Sequence, residues 1–596
     1  MGSEIQQALS KDLPRYDWKD SSAPSPTCCD FAAKTGLSAP VANLLLARRL
    51  ASADAPDAAI RFLEASVRGM LPPETMPGVT EAREKIISAI HKKGPIVIFG
   101  DFDCDGTVAT AILTDMLRFF GADVRPFIPL RSDGYGLSEQ AVERCLEETP
   151  EPALLITVDC GMGAGDALQR FLDLGCEVVV SDHHTPSTPL PPACTIVSTF
   201  NEGVPETCRD LCGAGVAYKI AGGVMTALYP APDRTGRGRL YRWLDALAIA
   251  TVADVVPLLG ENRLYVREGL AIINHNKKGV FPHVGIVALL RETTKNLQAI
   301  TSEQLGFILA PHINSAGRMK SAETALRLLL ATDADEAKAD AITLKKFNVD
   351  RRREEQKVLE SSKGQLSDTN IFRPDEDGAI VIAGEGWHPG TIGIAAARIC
   401  DTYRRPVVVI ALEGESGRGS VRAPEGYNAY QALSACSGYL LHFGGHANAA
   451  GLGIAKAEID NFRRAFAAEC FRQVNAPSLR PELEISGWLE FGFIDEKLLE
   501  SINRLEPYGM GNPPPCWALS DVTAKPSRMG QEQQHLRLEI VQGDSVRLKC
   551  IWFGAGEYEK EFKPGSRWDI AGTLSLNEFR GDREIELMVI DARPHV

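Results

Sequence analysis

The chain lacks, at its start, a basic stretch followed by an apolar core. Met1 to Arg15 shows no such pattern, and no apolar run further on is long enough to span a bilayer. A cytoplasmic protein without a membrane partner is the expectation. Paired cysteine spacings of the zinc type are also missing. The 14 cysteines are scattered and two, Cys28 and Cys29, are adjacent, so reduced thiols are expected. Positive charge is scarce, with 64 Lys and Arg against 78 Asp and Glu and a formal net charge of −14. That balance argues against a protein that coats polyanions generically, although a local basic groove or bound metal ions can override the mean. What is present is ordinary globular composition, 44% hydrophobic and 24% charged. A length of 596 residues exceeds a single core and predicts three or four domains.

The chain is organised around residues 94 to 107. Pro95 to Phe99 is an apolar run of strand length, of the kind buried on both faces of a sheet. Asp101, Asp103 and Asp105 follow at alternate positions, and Gly106 closes the turn. Alternate residues of an extended segment point the same way, so the spacing predicts three crowded carboxylates. Like charges that close are costly unless a cation pairs them, and a divalent metal is the simplest resolution. A solvated acidic turn is the bland alternative for an isolated Asp-x-Asp.

The flanking segments favour the metal. Short helices and Pro-rich punctuation lead up to a helix with Ala82, Ile86, Ile87 and Ile90 on one face, and this lead is expected to pack on the first domain. After the aspartates come a helical run, Val108 to Phe120, a strand, Val124 to Pro129, and a glycine-rich loop, Arg131 to Leu137. The strand Ala153 to Val158 ends in Asp159, and Glu177 to Val180 ends in Ser181-Asp182-His183-His184. The apolar helix Trp243 to Ala253 delivers Asp254. Such alternation predicts a doubly wound parallel sheet with its ligands at the carboxyl ends of the strands. Asp103, Asp105, Asp159, His183 and Asp254 make a mixed carboxylate and imidazole set, which suits Mn²⁺ or Mg²⁺ better than structural zinc. The set is large enough for two ions about 3.5–4 Å apart, the arrangement that supports phosphoester hydrolysis.

Taken in order, Asp101 to Gly106, Val158 to Gly161, Asp182-His183-His184 and Thr251 to Pro257 resemble the motifs of the DHH phosphoesterase superfamily. Later motifs, from Pro311 to Met319 onward, narrow the resemblance to the RecJ family of bacterial single-strand-specific exonucleases. It runs from about residue 80 to the C-terminus. It implies Asp103, Asp105, Asp159, His183 and Asp254 as metal ligands, Asp101 as a ligand or a support, Asp182 as a residue orienting its neighbours, and His184, with Arg318 and His446, as neutralising the scissile phosphate. Arg131, Asn314 and Arg318 match residues that meet the DNA. His312 stands where the family usually has arginine and is not carried over.

Residues 320 to 365 predict a long connecting helix whose charged stretch, Arg351 to Glu355, faces solvent. In the second α/β region, glycines bracket Ser420, Arg422 and His446, which supplies what a terminal phosphate needs: close backbone donors, a hydroxyl and a guanidinium. The segment resembles the DHHA1 domain, which implies that Ser420 and Arg422 hold a 5′-phosphate and that His446 lies near the scissile one. Short strands (Leu536 to Val541, Val546 to Trp552, Trp568 to Leu574, Ile585 to Ile590) predict a small barrel of the OB type. His535, Arg537, Lys549, Trp552 and Phe579 are its candidate strand contacts, with Trp552 equally placed to be core.

The expected architecture is therefore multidomain α/β: an N-terminal segment 1–78, a doubly wound DHH domain 79–319, a helical connector 320–372, a smaller α/β DHHA1 domain 373–475 and a barrel 476–596. The resemblance implies a Mn²⁺- or Mg²⁺-dependent exonuclease, with two ions, that degrades single-stranded DNA from 5′ to 3′ into 5′-mononucleotides in DNA repair and recombination. A single-strand-binding protein and a helicase are candidate partners. The rival reading is a DHH phosphodiesterase or phosphatase acting on short oligonucleotides or cyclic dinucleotides. A rival of another class is a DNA-binding relative that has lost its metals.

Overall fold

The structure, a computed structural model, describes residues 13–20, 28–52, 54, 56–134, 136–186, 189–229, 234–275, 279–294, 300–368, 371–373, 377–473, 481–543, 547–579 and 582–595. Tyr135 of the glycine-rich loop and Val546 of an expected barrel strand lie outside these residues, as does the side chain of Phe579. Two compact units form: Arg61–Arg351 with Leu505–Pro513, and Met1–Ile60 with Arg352–Arg504 and Pro514–Val596. No described helix is long and apolar enough to cross a membrane.

The first unit is built on five parallel strands: β1 (Ile96–Gly100), β2 (Val124–Phe127), β3 (Leu154–Val158), β4 (Glu177–Asp182) and β5 (Thr195–Ser198), in the order β2-β1-β3-β4-β5. Every residue of β1 and β3 is buried, as their unbroken apolar runs predict. Ile96 and Ile98 face one core with Val108 and Ile112, while Val97 and Phe99 face another with Leu168 and Phe171. The sheet is thus covered on both sides, each large apolar side chain contributing about 1.5–3 kcal/mol by burial. The strand order reverses between β1 and β3, which opens a crevice at their carboxyl ends. Three helices border that crevice: α1 (Cys104–Phe119), α2 (Gly213–Leu228) and α3 (Leu244–Ala253). A fourth, α4 (Ala310–Met319), follows a π-helical turn, Leu305–Leu309. The short stretch Leu505–Pro513 belongs to this unit: Met510 O accepts from Leu258 N at 2.8 Å, and Glu506 O accepts from the buried Arg263 guanidinium at 2.8 Å.

The 33-residue helix α5 (Ala334–Leu366) is the expected connector. Its charged stretch is not wholly solvated, because Glu355 is buried and pairs with Arg398 Nε at 2.7 Å.

In the second unit, β6 (Ile380–Glu385), β7 (Val407–Glu413), β8 (Ser416–Arg422), β9 (Leu440–Gly445) and β10 (Ala449–Ala455) form a mixed sheet ordered β9-β10-β8-β7-β6. Its helix α6 (Ile392–Tyr403) packs beneath. The C-terminal strands β11 (Trp517–Met529), β12 (His535–Val541), β13 (Leu548–Trp552), β14 (Arg567–Phe579) and β15 (Asp582–Pro594) run in the order β11-β12-β13-β15-β14, and β14 pairs back to β11. That pairing closes a five-stranded barrel of the OB type. The strand β11 is not legible in the sequence: Pro526 interrupts it, and its register shifts between Leu519 and Val522, where Asp521 takes a left-handed φ of 56°.

The N-terminal lead does not pack on the first domain as a whole. Asp17–Asp20 pairs in parallel with Glu482–Ile485, Trp18 Nε1 donates to Asp591 at 2.8 Å, and Ser38 N donates to Ser501 Oγ at 2.9 Å. The lead up to Ile60 is therefore joined to the barrel region, through contacts between residues more than 450 positions apart that no local pattern reports.

Candidate metal centre

Helix α1 begins immediately after the aspartate turn. Asp103 is its N-cap, accepting from Gly106 N at 3.0 Å. A Cβ on Gly106 would stand 2.6 Å from Asp101 N, so only glycine lets this turn close. The premise of three aspartates on one extended face is corrected here, because Asp105 lies in the first helical turn. Its two oxygens accept from Gly213 N at 2.6 Å and Ala214 N at 3.0 Å, at the start of α2. The carboxylates still converge, but in two directions. Asp101 and Asp103 meet Asp159, while Asp105 meets His183 and Asp254, with each set's ligand atoms within 4.8 Å of one another. Asp159 follows β3 with a left-handed φ of 61°, which aspartate tolerates better than most side chains. Asp254 caps the C-terminal end of α3, and His183 follows β4.

Asp182 turns inward at the end of β4 and is buried. It accepts from Met162 N at 2.9 Å, His183 N at 2.8 Å and His184 N at 3.0 Å, and lies 2.8 Å from His184 Nδ1. Burial opposes its charge, but these hydrogen bonds outweigh burial and hold it below its ordinary value. His184 behaves conversely: burial disfavours its cation, while the hydrogen bond and charge of Asp182 prevail and push it up to about 9. In the metal-free site this favours its protonated form. Burial holds His183 below its ordinary value, as a neutral imidazole.

The remaining carboxyls are strained electrostatically. Burial, then the charge of Asp103, raises Asp101 to about 8. Burial and the charge of Asp105 raise Asp254 to about 9, and the same two causes lift Asp159 well above the carboxylate range. Asp159 Oδ1, His183 Nε2 and Asp254 Oδ2 are buried without a hydrogen-bond partner. His183 Nε2 lies 3.1 Å from Asp159 Oδ1 and 3.5 Å from Asp254 Oδ2. The 3.1 Å between Asp159 Oδ1 and His183 Nε2 is close to the spacing of adjacent ligands around a cation bound octahedrally at about 2.0–2.1 Å, and Asp254 shares its group with His183 and Asp105. The chemistry of the set, hard oxygens with one neutral imidazole, fits Mn²⁺ or Mg²⁺.

The candidate DNA residues fall in three places. Arg131 is held at the aspartate turn, with Nε donating to Gly317 O at 3.3 Å and its guanidinium 4.1 Å over the Phe102 ring. Asn314 accepts from Cys104 N at 2.7 Å, so it also fixes the start of α1. Arg318 stands one turn further along α4. His312 is buried, with Nδ1 2.6 Å from Ile308 O and Nε2 3.1 Å from Asn348 Nδ2, a packing role rather than a ligand's.

In the second unit Ser420 and Arg422 share one face of β8, their side chains 3.2 Å apart. They lie against Gly393 at the start of α6, where a Cβ would come within 3.0 Å of Ser420 Oγ and 3.2 Å of Arg422 Nη2. Exposed His446 lies in the turn between β9 and β10, and Ala449, three residues on, is opposite Arg422.

On the barrel, His535 and Arg537 point to the outer face of β12. Lys549 is engaged with Glu584 at 2.5 Å. Trp552 as a strand contact is corrected. It is 1% exposed and stacks on Tyr558, with ring centroids 5.4 Å apart, because Leu548, Cys550 and Trp552 are the inward side of β13. Trp552→Ala is therefore expected to destabilise the barrel by about 3–5 kcal/mol, read by denaturant unfolding. An unchanged transition midpoint together with weakened DNA binding would restore the surface role.

Two features escaped the sequence reading. The backbone donors of Gly213 and Ala214 hold Asp105, and a Cβ on Gly213 would stand 2.6 Å from Asp159. The Gly213-Ala214-Gly215 run opening a helical pattern was the available signal. Phe553, 58% exposed and edge-on to the His535 ring at 5.0 Å, is an aromatic on the barrel surface that alternation alone does not single out.

Three family models match the chain: "DHH family, N-terminal domain" over residues 95–251, "DHHA1 domain" over 376–472 and "RecJ OB domain" over 485–591. The chain is 32% identical to the single-stranded-DNA-specific exonuclease RecJ of Bacillus subtilis over 93% of its own length and 67% of that protein's. It is 32% identical to the enzyme of the same name from Haemophilus influenzae over 88% of this chain and 92% of that one. The crystal structure of Thermus thermophilus RecJ with Mn²⁺ matches with a TM-score of 0.81 at 29% identity, covering 98% of this chain and 80% of that one. Its complex with Mg²⁺ matches at 0.75 and 28% identity, covering 98% and 79%. The DHH, DHHA1 and OB segments occur here in one chain, in order, and with relatives that match along nearly all of it the chain belongs to the RecJ family.

Proposed function

We propose that the chain hydrolyses single-stranded DNA from its 5′ end, releasing 5′-mononucleotides. The observation that carries this reading is the convergence of Asp159 Oδ1, His183 Nε2 and Asp254 Oδ2, buried and unpartnered, at the crevice where the strand order reverses. Asp103, Asp105, Asp159, His183 and Asp254 hold two divalent ions, with Asp101 as a further ligand or a support. Bound there, the ions supply Lewis acidity and lower the pKa of water, which is what phosphoester hydrolysis at neutral pH needs. The protein's own residues do the rest. Asp182 fixes the orientation of His184 through its three backbone bonds and its contact with Nδ1. His184, in its protonated form, faces the charge that builds on the scissile phosphate, and Arg318 adds to it, the task that the family resemblance also implies for His446. Arg131 and Asn314 meet the strand beside the aspartate turn, and His535 and Arg537 meet it on the barrel. A single-strand-binding protein and a helicase are the candidate protein partners, since each handles the single-stranded substrate.

Ser420, Arg422 and the start of α6 form an anion cradle that takes the 5′-phosphate. Burial pulls the Arg422 guanidinium below its ordinary value, a cost that a bound phosphate would offset. Arg422→Ala is expected to lower the ratio of cleavage rates on 5′-phosphorylated and 5′-hydroxyl strands by about tenfold, one lost charge-assisted contact. Equal rates on the two strands with the wild type would remove the cradle from the mechanism.

The test of the activity is one oligonucleotide labelled separately at each end, single-stranded or in a blunt duplex, with Mn²⁺ or EDTA. Early mononucleotide release from the 5′ label, from the single strand only and with metal only, is the expected result. Release first from the 3′ label would reverse the polarity, and cleavage of dinucleotides alone would transfer the reading to a small-substrate phosphodiesterase.

A further inference from the structure

We infer that Phe307 is a base-stacking residue, which reads an unpaired nucleotide a few positions from the metal centre and so contributes to single-strand specificity. The inference rests on the proposed action on single-stranded DNA. At 74% exposure Phe307 is the most exposed large apolar side chain among the described residues. It stands in the π turn Leu305–Leu309, while Leu305 and Leu309 on either side are fully buried. A π turn is rare, and those that occur are frequently at functional sites. Here it feeds directly into α4.

Phe307, Pro311, Asn314 and Arg318 recur at helical spacing, all at least partly accessible, between the buried Leu309, Ala310, Ile313, Ala316 and Gly317. The stripe is registered on the metal centre at its far end. Asn314 Oδ1 accepts from Cys104 N, and a Cβ on Gly317 would stand 2.3 Å from Phe102 O, so α4 lies directly on the aspartate turn. Near the other end, Gly306 sits against the Val252 side chain of α3, the helix that ends at Asp254. Phe307 is thus on a rigid element anchored twice to the site.

At about 1.5 Å per residue it lies about 10 Å along the axis from Asn314, about three nucleotides at 3.4 Å per stacked base. A single exposed phenylalanine needs no explanation by itself. One presented by a π turn in line with the residues proposed to meet the strand does. A ring face accepts any base without regard to sequence, but only a base free of its partner strand.

The test measures kcat/KM with Mn²⁺ for the full chain and its Phe307→Ala, Phe307→Leu and Phe307→Tyr variants. The substrates are 5′-phosphorylated single strands, either intact or with one abasic residue at each of the positions 2 to 6 from the attacked end. On the intact strand, Ala and Leu are expected to lose about tenfold and Tyr to retain the wild-type value. In the wild type, one abasic position should cost the same tenfold. In Phe307→Ala that position should cost nothing further, a loss of additivity that a packing role would not produce. Full activity of Phe307→Ala, or abasic costs that are the same in variant and wild type at every position, overturns the inference. A wild type that leaves the intact strand uncut overturns the exonuclease reading as well, and so marks a different failure.

Discussion

Asp159→Ala is expected to abolish cleavage, lowering the rate more than about 100-fold, beyond the 10–100-fold typical of a residue that merely supports a ligand. Asp159 belongs to two of the three groups of side chains that could hold an ion, one with Asp101 and Asp103 and one with His183 and His184. Its Oδ1 is buried and no hydrogen bond within the protein satisfies it. Single-strand affinity should stay within about tenfold of wild type, because in the proposed function binding is spread over Arg131, Arg318, Ser420, Arg422 and the barrel, each worth about 1–3 kcal/mol at most. Initial rates with Mn²⁺ and fluorescence anisotropy in EDTA separate the two quantities. Wild-type turnover in this variant would sink the metal assignment, and a collapse of affinity together with activity would point to misfolding.

The second large effect is on stability. Metal-free protein is expected to lose thermal stability as the pH rises. Asp101 and Asp254 have folded-state values of about 8 and about 9, against about 4 for an unfolded aspartate. Between those limits the folded state holds protons that the unfolded state has released, so the contribution of these groups is most favourable below about pH 4. It declines as the pH rises and reaches its full penalty above about pH 9. In EDTA the melting temperature of the metal-binding unit should therefore fall steadily between pH 5 and 9. Saturating Mn²⁺ should abolish the fall, since the ions replace the protons as the partners of these carboxylates. Asp159→Asn should flatten the EDTA profile by removing one of the buried charges. A melting temperature that rises toward pH 9 in EDTA would contradict the electrostatic description of the site.

The sequence carried the parts of this protein that depend on local pattern and residue chemistry. The buried strands Ile96–Gly100 and Leu154–Val158, the ligand types at their ends, and the order of the DHH, DHHA1 and barrel segments were all legible. A fully buried strand needs an unbroken apolar run, and hard cations need carboxylates.

Tertiary structure decided what depends on direction and on distant partners. The spacing of Asp101, Asp103 and Asp105 suggested one shared face, yet the helix starting at Cys104 turns Asp105 toward the backbone of Gly213 and Ala214. Period-two alternation identified two faces for β13 but not which was inward, and barrel closure placed Trp552 in the core. The strand Asp17–Asp20 finds its partner at Glu482–Ile485, a pairing that only the folded chain brings together. Residue chemistry sets which donors a chain can offer. Which polar atoms converge without a hydrogen-bond partner, as those of Asp159, His183 and Asp254 do, is settled only when long-range packing fixes the direction in which each side chain points.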